Sequence, residues 1–158
     1  MKNLRNVGLI VIVLLVLTVG SATAATTANE KIPLDMWVLV SCANGGSGEM
    51  VSLTGTLHVT SQVTISANTV HYAAHYQPMG VSGYGGLTGD KYQATGVTSF
   101  SDTFHVDGFP YTATYMNNFR IIGQGPGNNN LVHGNYHVTI NAKGDLTTQV
   151  DNFSVECK

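Results

Sequence analysis

The chain has 158 residues and few charged side chains, with seven Lys or Arg against nine Asp or Glu. Its formal net charge of −2 excludes the basic surface that nucleic-acid-binding proteins need, so we expect no nucleic-acid partner. The length suits one domain with one hydrophobic core.

The N-terminus has the pattern of a secretory signal peptide. Lys2 and Arg5 precede an apolar run from Val7 to Val19, and Ala22-Thr23-Ala24 supplies small residues for cleavage. The run is shorter than the roughly 18 residues that a membrane-spanning helix needs. We therefore expect residues 1–24 to be removed, leaving no stable membrane anchor and a secreted or periplasmic protein.

The mature chain is expected to be acidic and to fold as one unit. Without Lys2 and Arg5, five basic residues remain against nine acidic ones, a net charge of −4. We expect a flexible N-terminal segment at residues 25–33, followed by a single domain at 34–158.

The first strong strand signal is a period-two alternation from Val51 to Ala67, in which nearly every odd position is apolar. This alternation predicts one long strand at residues 49–67 with one buried face, and Gly55 is the expected point of any bend. The parity switches at Ala67-Asn68, as a two-residue hairpin loop requires. The predicted pairs include Ile65 with Val70, Val63 with Tyr72 and Val59 with Tyr76.

A second hairpin is predicted at the C-terminal end. Asn141-Ala-Lys-Gly144 suits a type I turn with a bulge and pairs Ile140 with Leu146. The same register joins Val138 to Thr148 and Tyr136 to Val150. The apolar parity shifts after Asp151-Asn152, which predicts a β-bulge there.

Three further segments, at residues 34–42, 91–100 and 110–122, bring the expected total to seven strands. We predict an all-β fold, an antiparallel β-sandwich with a Greek-key arrangement, and a small β-barrel is the alternative. Alternating strand directions place the glycine-rich loops at residues 43–48, 78–90 and 123–130 at one end of the domain.

The two cysteines predict a disulfide. Cys42 and Cys157 both lie in the exported part of the chain, where disulfides persist. The strand count brings both to the loop-rich end, so a Cys42–Cys157 bond agrees with the predicted topology.

Candidate binding residues lie on the loops, where a rigid scaffold usually presents them. The stretch Ile122 to Leu131 lacks the lysine and hydroxyl of a phosphate-binding loop, so nucleotide binding is not expected. Its amides at Asn128, Asn129 and Asn130 are candidates for a polar ligand. Tyr84 and Asp90 are candidates on the long loop. Trp37 and the tyrosines are candidates for a carbohydrate-stacking platform. However, Tyr72, Tyr76 and Tyr136 occupy apolar strand positions, which favours core packing. Tyr84 therefore remains the one to test.

Metal and catalytic signatures are weak. His58 and His75 are expected as diagonal neighbours on the outward face, but a zinc site needs three or four ligands. No nucleophile or metalloprotease motif is present in the sequence. We assign no catalytic residue and expect no cofactor.

Several stretches, among them CANGGSGE, TGDKYQATGVT, NNFRIIGQGPGNNNLVH and DNFSVEC, resemble an uncharacterised family of small secreted bacterial proteins. The resemblance covers roughly residues 32–158. It implies bacterial export and carries over no functional residue.

These observations favour an exported binding or interaction module that uses its glycine-rich loop end for an extracellular ligand. Two alternatives remain open. One is a small secreted hydrolase or isomerase with its site in a barrel mouth, and the other is a structural surface-association protein.

Overall fold

The computed structural model describes residues 24–125 and 128–158. The expected signal peptide lies outside these ranges except for its last residue, as do Pro126 and Gly127 of the glycine-rich loop. The described residues form eight β-strands and one short 3₁₀ turn at Asn44–Gly46. The strands are β1 (Ala24–Val40), β2 (Glu49–Ser66), β3 (Thr69–Gly85), β4 (Lys91–Thr95), β5 (Thr98–His105), β6 (Tyr111–Gly123), β7 (Asn130–Ile140) and β8 (Leu146–Cys157).

All strands belong to one antiparallel sheet in the order β1-β2-β3-β4-β6-β7-β8, with β5 also between β3 and β6. The all-β prediction is confirmed, and the arrangement is consistent with a β-sandwich in which one sheet folds over. Apart from the position that β4 and β5 share, neighbours in the sheet are consecutive in the chain, so the predicted Greek-key arrangement is wrong. No backbone ladder joins β1 to β8 within the described residues, so the sheet has two edges.

The strands β4 and β5 occupy one position in the sheet. Both pair with β3 on one side and β6 on the other, and they are interrupted at Gly96-Val97. A Cβ at Gly96 would lie 2.0 Å from the carbonyl oxygen of Asn118, so only glycine fits this close approach. The strand predicted at residues 91–100 therefore fills one of seven positions in the sheet. It continues beyond the prediction to His105 and is interrupted at Gly96.

The first hairpin confirms the register predicted from the alternation. Ile65 pairs with Val70, Val63 with Tyr72 and Val59 with Tyr76. The register shifts between Thr54 and Thr56. At the shift, a Cβ on Gly55 would lie 2.6 Å from the Val81 Cα, so the absent side chain permits the bend.

Two segments expected to be irregular are strand. Residues 25–33, expected to be flexible, belong to β1 and pair with β2 from Ala24 onward. The predicted loop at 78–90 is wrong over most of its length, because β3 continues to Gly85. Its glycines are tolerated there because the backbones approach closely: a Cβ at Gly83 would lie 1.6 Å from the Ser52 carbonyl oxygen.

The last hairpin differs from the prediction by one residue. Ile140 pairs with Leu146 as predicted, but Val138 pairs with Gln149 and Tyr136 with Asp151. The irregularity lies between Thr139 and Ile140 rather than beyond Asp151. The bulge therefore lies next to the turn. No register shift accompanies the parity change after Asp151-Asn152, so the bulge predicted there is wrong.

The buried core lies toward the end of the sheet that carries the cysteines, the disulfide end. Its members are Val40, Ala43, Val51, Leu53, Val81, Tyr92, Ala94 and Ile121. They come from five strands and the residues after β1, and they share one face of the sheet, the inner face. Because β2 and β6 both contribute to this cluster, the sheet curls until their inner faces pack together.

The predicted disulfide is confirmed and joins the two edges of the sheet. Cys42, just after β1, and Cys157, the last residue of β8, are bonded with their Cα atoms 5.3 Å apart. The bond spans 115 residues of chain. It therefore fixes the relative position of two strands that no backbone ladder connects.

We expect loss of the disulfide to destabilise the whole domain. In the chain-entropy description, opening so long a loop costs about 2 to 5 kcal/mol. The free energy of urea-induced unfolding of the mature protein should fall by that amount in the Cys42→Ser, Cys157→Ser double variant. Equal unfolding midpoints for the variant and the oxidised protein would contradict a structural role for the bond.

Candidate functional site

Two of the three glycine-rich connections meet at the disulfide end. The Asn128 side chain donates a hydrogen bond to the Asp90 carboxylate over 3.3 Å and another to the Gln124 carbonyl over 2.6 Å. The Asn129 and Lys158 backbones also exchange two hydrogen bonds, of 3.1 and 3.0 Å. The segment after β6 is thereby tied to the β3–β4 turn and to the C-terminus.

The β3–β4 turn is built around a buried carboxylate. Glu49, the first residue of β2, is 2 % exposed. It accepts hydrogen bonds from the Leu87 and Thr88 backbone amides, at 3.1 and 3.0 Å. The Thr88 and Tyr92 hydroxyls donate to its other oxygen, at 2.8 and 2.9 Å. All four donors lie in or next to the turn, so one side chain positions it.

The hydrogen bonds decide the ionisation of Glu49. Burial alone raises the pKa of a carboxyl, because it disfavours the charged form. The donors from Thr88, Leu87 and Tyr92 outweigh burial and hold the pKa of Glu49 below its ordinary value. The same contact, added to burial, raises the pKa of Tyr92. Glu49 is therefore an ionised acceptor with a structural role, and it has no proton to give.

The residue facing this carboxylate has to be glycine. A Cβ at Gly85 would lie 2.4 Å from the carboxylate atoms of Glu49. The turn is closed further by hydrogen bonds from the Gly85 amide to the Asp90 carbonyl, 2.9 Å, and from the Gly89 amide to the Gly85 carbonyl, 3.0 Å. These contacts explain why the stretch is rich in glycine while being ordered.

An aromatic pair lies on the opposite, outer face of the same strands. Trp37 pairs with Ser52, and Ser52 pairs with Tyr84. Directly paired residues point to one face of a sheet, so the two aromatic side chains flank the small serine in one row. Trp37 is 60 % exposed and Tyr84 is 59 % exposed. We call Trp37, Ser52 and Tyr84 the aromatic platform.

The Trp37 indole reaches across β2. Its Cζ3 atom lies 3.6 Å from the position that a Cβ on Gly86 would occupy, next to the end of β3. The indole thus covers the strand between its own and that of Tyr84. Beyond Tyr84 the row continues to Lys91, its partner on β4.

Exposed aliphatic side chains surround the platform. Leu39 and Met50 are paired across β1 and β2 and are 60 % and 45 % exposed, and Leu87 in the turn is 76 % exposed. Leu39 and Met50 point to the same face as Trp37 and add exposed apolar area to it, and such area often marks an interaction site.

The structure separates the five binding residues suggested by the sequence. Tyr84 belongs to the platform, and Asp90 and Asn128 are bonded to each other beside it. Asn129 is half-buried and pairs through its backbone with Lys158. Asn130 is 3 % exposed, and its side-chain oxygen Oδ1 accepts a hydrogen bond from the Ser41 hydroxyl at 3.3 Å. We therefore omit Asn130 from the binding residues.

The histidines give no metal site in the part of the chain that the structure describes. His58 faces Gln77 and His75 faces Thr60, in the predicted register. The His58 ring contacts the Asn29 side chain. No group of three or more His, Cys, Asp or Glu residues suited to a metal is found among residues 24–125 and 128–158.

The faces on which two site residues, Glu49 and Trp37, lie could have been predicted from the alternation in the sequence. Glu49 continues the odd, inward parity of β2, so the alternation places a carboxylate in the core. Trp37 has the opposite parity to Leu34, Val38 and Val40, which places it on the outer face. Neither inference reveals that Trp37 and Tyr84 share a row, because this depends on the registers of two strand pairs.

Comparison with protein-family models, with curated proteins and with solved structures finds no match to this chain. Among the described residues, no helix is long and apolar enough to cross a membrane.

The Glu49 contacts predict a specific acid sensitivity. Because the pKa of Glu49 is lower in the folded than in the unfolded state, its contribution to stability is complete above the unfolded value. That contribution is lost as the pH falls through the folded pKa. We expect Glu49→Gln to lower the free energy of unfolding at pH 7 by about 1 to 3 kcal/mol and to flatten its acid dependence.

The matched control is Glu30→Gln, which removes an exposed carboxylate from β1. Urea unfolding from pH 7 to pH 3 measures both variants. If Glu49→Gln kept the acid dependence of the unchanged protein, the proposed role of this carboxylate would be wrong.

Proposed function

We propose that this protein is an exported glycan-binding module and that the aromatic platform is its binding surface. The observation that carries the proposal is the pair of largely exposed aromatic side chains in one row, separated by a serine. Large aromatic side chains have strong reason to be buried, so two left exposed side by side favour a binding role.

The chemistry of the platform matches carbohydrate. One face of a sugar ring carries C–H groups that pack on an aromatic ring, while its hydroxyls need polar partners. The backbones of Trp37 and Tyr84 lie two strand spacings apart, about 9.6 Å, and the indole extends over the strand between them, so the two rings offer a surface on which a sugar ring can pack. Because the Ser52 side chain is small, the Trp37 indole can lie over β2 beside Tyr84.

Polar groups are available at one end of the platform. Lys91 lies next to Tyr84 in the row, and the Asp90 carboxylate and Asn128 carboxamide lie in the adjoining turn and segment. Together they offer an ammonium donor, a carboxylate acceptor and an amide. The hydrogen bonds of Asn128 to Asp90 and Gln124 hold the carboxylate and the carboxamide in place, so a ligand need not order them first.

Export is part of the proposal. It is supported by the N-terminal sequence, by the resemblance to small secreted bacterial proteins and by the Cys42–Cys157 disulfide, which persists in oxidising compartments. An exported chain meets polysaccharides at the cell surface and outside it, where a glycan ligand is abundant.

The enzymatic alternative has less support. The buried carboxylate of the loop end, Glu49, is enclosed by its four donors, so it offers neither a proton nor access to a substrate.

Surface association is a second candidate, favoured by the exposed Leu39, Met50 and Leu87 beside Trp37. In that case the apolar surface would bind a second protein molecule. Sedimentation velocity of the mature protein separates the two functions, since a glycan-binding module is expected to stay monomeric while binding glycan.

We expect Trp37→Ala and Tyr84→Ala each to weaken glycan binding by about tenfold or more. Losing one stacked ring costs about 1.5 kcal/mol, equivalent to roughly a factor of ten in Kd. Affinity electrophoresis of the oxidised mature protein in gels containing amylose, hydroxyethylcellulose, xylan or soluble chitosan measures this effect.

The control is Phe109→Ala, which removes an aromatic side chain that is 45 % exposed at the opposite end of the domain. This variant should be retarded by the polysaccharide gels as strongly as the unchanged protein. No retardation of the unchanged protein by any of the four polysaccharides would overturn the proposal, as would equal effects of the control and the platform variants.

A further inference from the structure

A second surface feature lies on the other half of the sheet. A groove of about 610 Å³ crosses β6, β7 and β8. Six of its lining side chains share one face of the sheet, because they form two cross-strand rows. The rows are Met116, Asn135 and Asn152, and Asn118, His133 and Ser154.

The groove carries neutral hydrogen-bonding groups. The Asn118 side-chain oxygen accepts a hydrogen bond from Nδ1 of His133 over 3.0 Å. Asn135 and Asn152 face each other and are exposed, so their amide and carbonyl groups are open to solvent. The groove therefore presents both donors and acceptors to solvent.

Such a surface fits a polyhydroxylated ligand. A carboxamide offers a donor and an acceptor side by side, and adjacent sugar hydroxyls offer the same pair in return. Asp151 is the only carboxylate of the lining and no Lys or Arg contributes to it, so neither a polyanion nor a nucleic acid has a counter-charge there. Met116, 46 % exposed, supplies one apolar contact at the edge.

The groove and the aromatic platform point to opposite sides of the molecule. Val51 and Leu53 of β2 and Ile121 of β6 lie in one buried cluster, so the inner faces of these strands pack together. On β6, the groove residues Met116 and Asn118 point to the face opposite to that of Ile121. On β2, the platform residue Ser52 points to the face opposite to that of Val51 and Leu53. Outer faces of two packed halves look away from each other.

We propose that the groove is a second, amide-lined glycan site, which makes the protein bivalent. The inference rests on the proposed function in so far as both sites take carbohydrate, but each has its own residues and its own test. A module with sites on opposite faces holds two polysaccharide chains, or two segments of one chain, together.

Side-chain NMR tests the two sites separately. The oxidised mature protein, labelled with ¹⁵N, is titrated with maltohexaose, cellohexaose, xylohexaose and chitohexaose. The carboxamide signals of Asn135 and Asn152 report on the groove, and the indole N–H of Trp37 reports on the platform. We expect at least one hexasaccharide to shift both sets of signals.

Two variants make the test specific. Asn135→Ala with Asn152→Ala should weaken groove binding at least tenfold, followed through the Asn118 carboxamide, and leave the Trp37 titration unchanged. The matched control is Thr148→Ala, which changes a residue of β8, the strand of Asn152, outside the groove lining. It should behave as the unchanged protein.

The outcomes distinguish the two proposals. Shifts of Trp37 with none at Asn135 and Asn152 would overturn the groove site and leave the platform standing. Carboxamide shifts without a Trp37 shift would support the groove and contradict the platform. Groove titration that survives unchanged in the double variant, or no shift with any of the four hexasaccharides, would also overturn the second site.

Discussion

The structure of the disulfide end depends on one buried charge, the Glu49 carboxylate. An ionised carboxylate removed from water is costly unless donors surround it, and four donors from the β3–β4 turn and Tyr92 do so. Because these groups come from β2, from the β3–β4 turn and from β4, the carboxylate fixes where β3 ends and where β4 begins. Gly85 is a consequence of this contact, since any side chain there would collide with the carboxylate.

The proposed glycan surface follows from the same constraint. Tyr84 immediately precedes Gly85, and Asp90 ends the turn that Glu49 holds, so interior hydrogen bonds determine how both are presented outside. The disulfide adds a second restraint by joining the edges of an open sheet near the same end. Together they form a rigid base for an exposed aromatic pair, which lowers the entropic cost of binding.

Much of this fold could be predicted from the sequence where one face is buried. The alternation in residues 51–67 specified both a strand and its register with β3, since a one-residue slip would expose every apolar side chain. The last hairpin was predicted less well, because β8 is exposed along nearly all its length and burial does not select its register. A bulge between Thr139 and Ile140 therefore shifted the pairing without a signal in the pattern. The strand within residues 78–85 was missed because its glycines serve close backbone contacts, while their composition is typical of a loop.

Amide hydrogen exchange tests the central role of Glu49 most directly. Leu87 and Thr88 lie in an exposed turn, yet their amides donate to a buried carboxylate, so they should exchange as slowly as those of the adjoining strands. The measurement uses the oxidised mature protein at neutral pH. Protection of both amides at the level of β2 and β3 is the predicted result, and exchange at the rate of an unstructured loop would contradict the account.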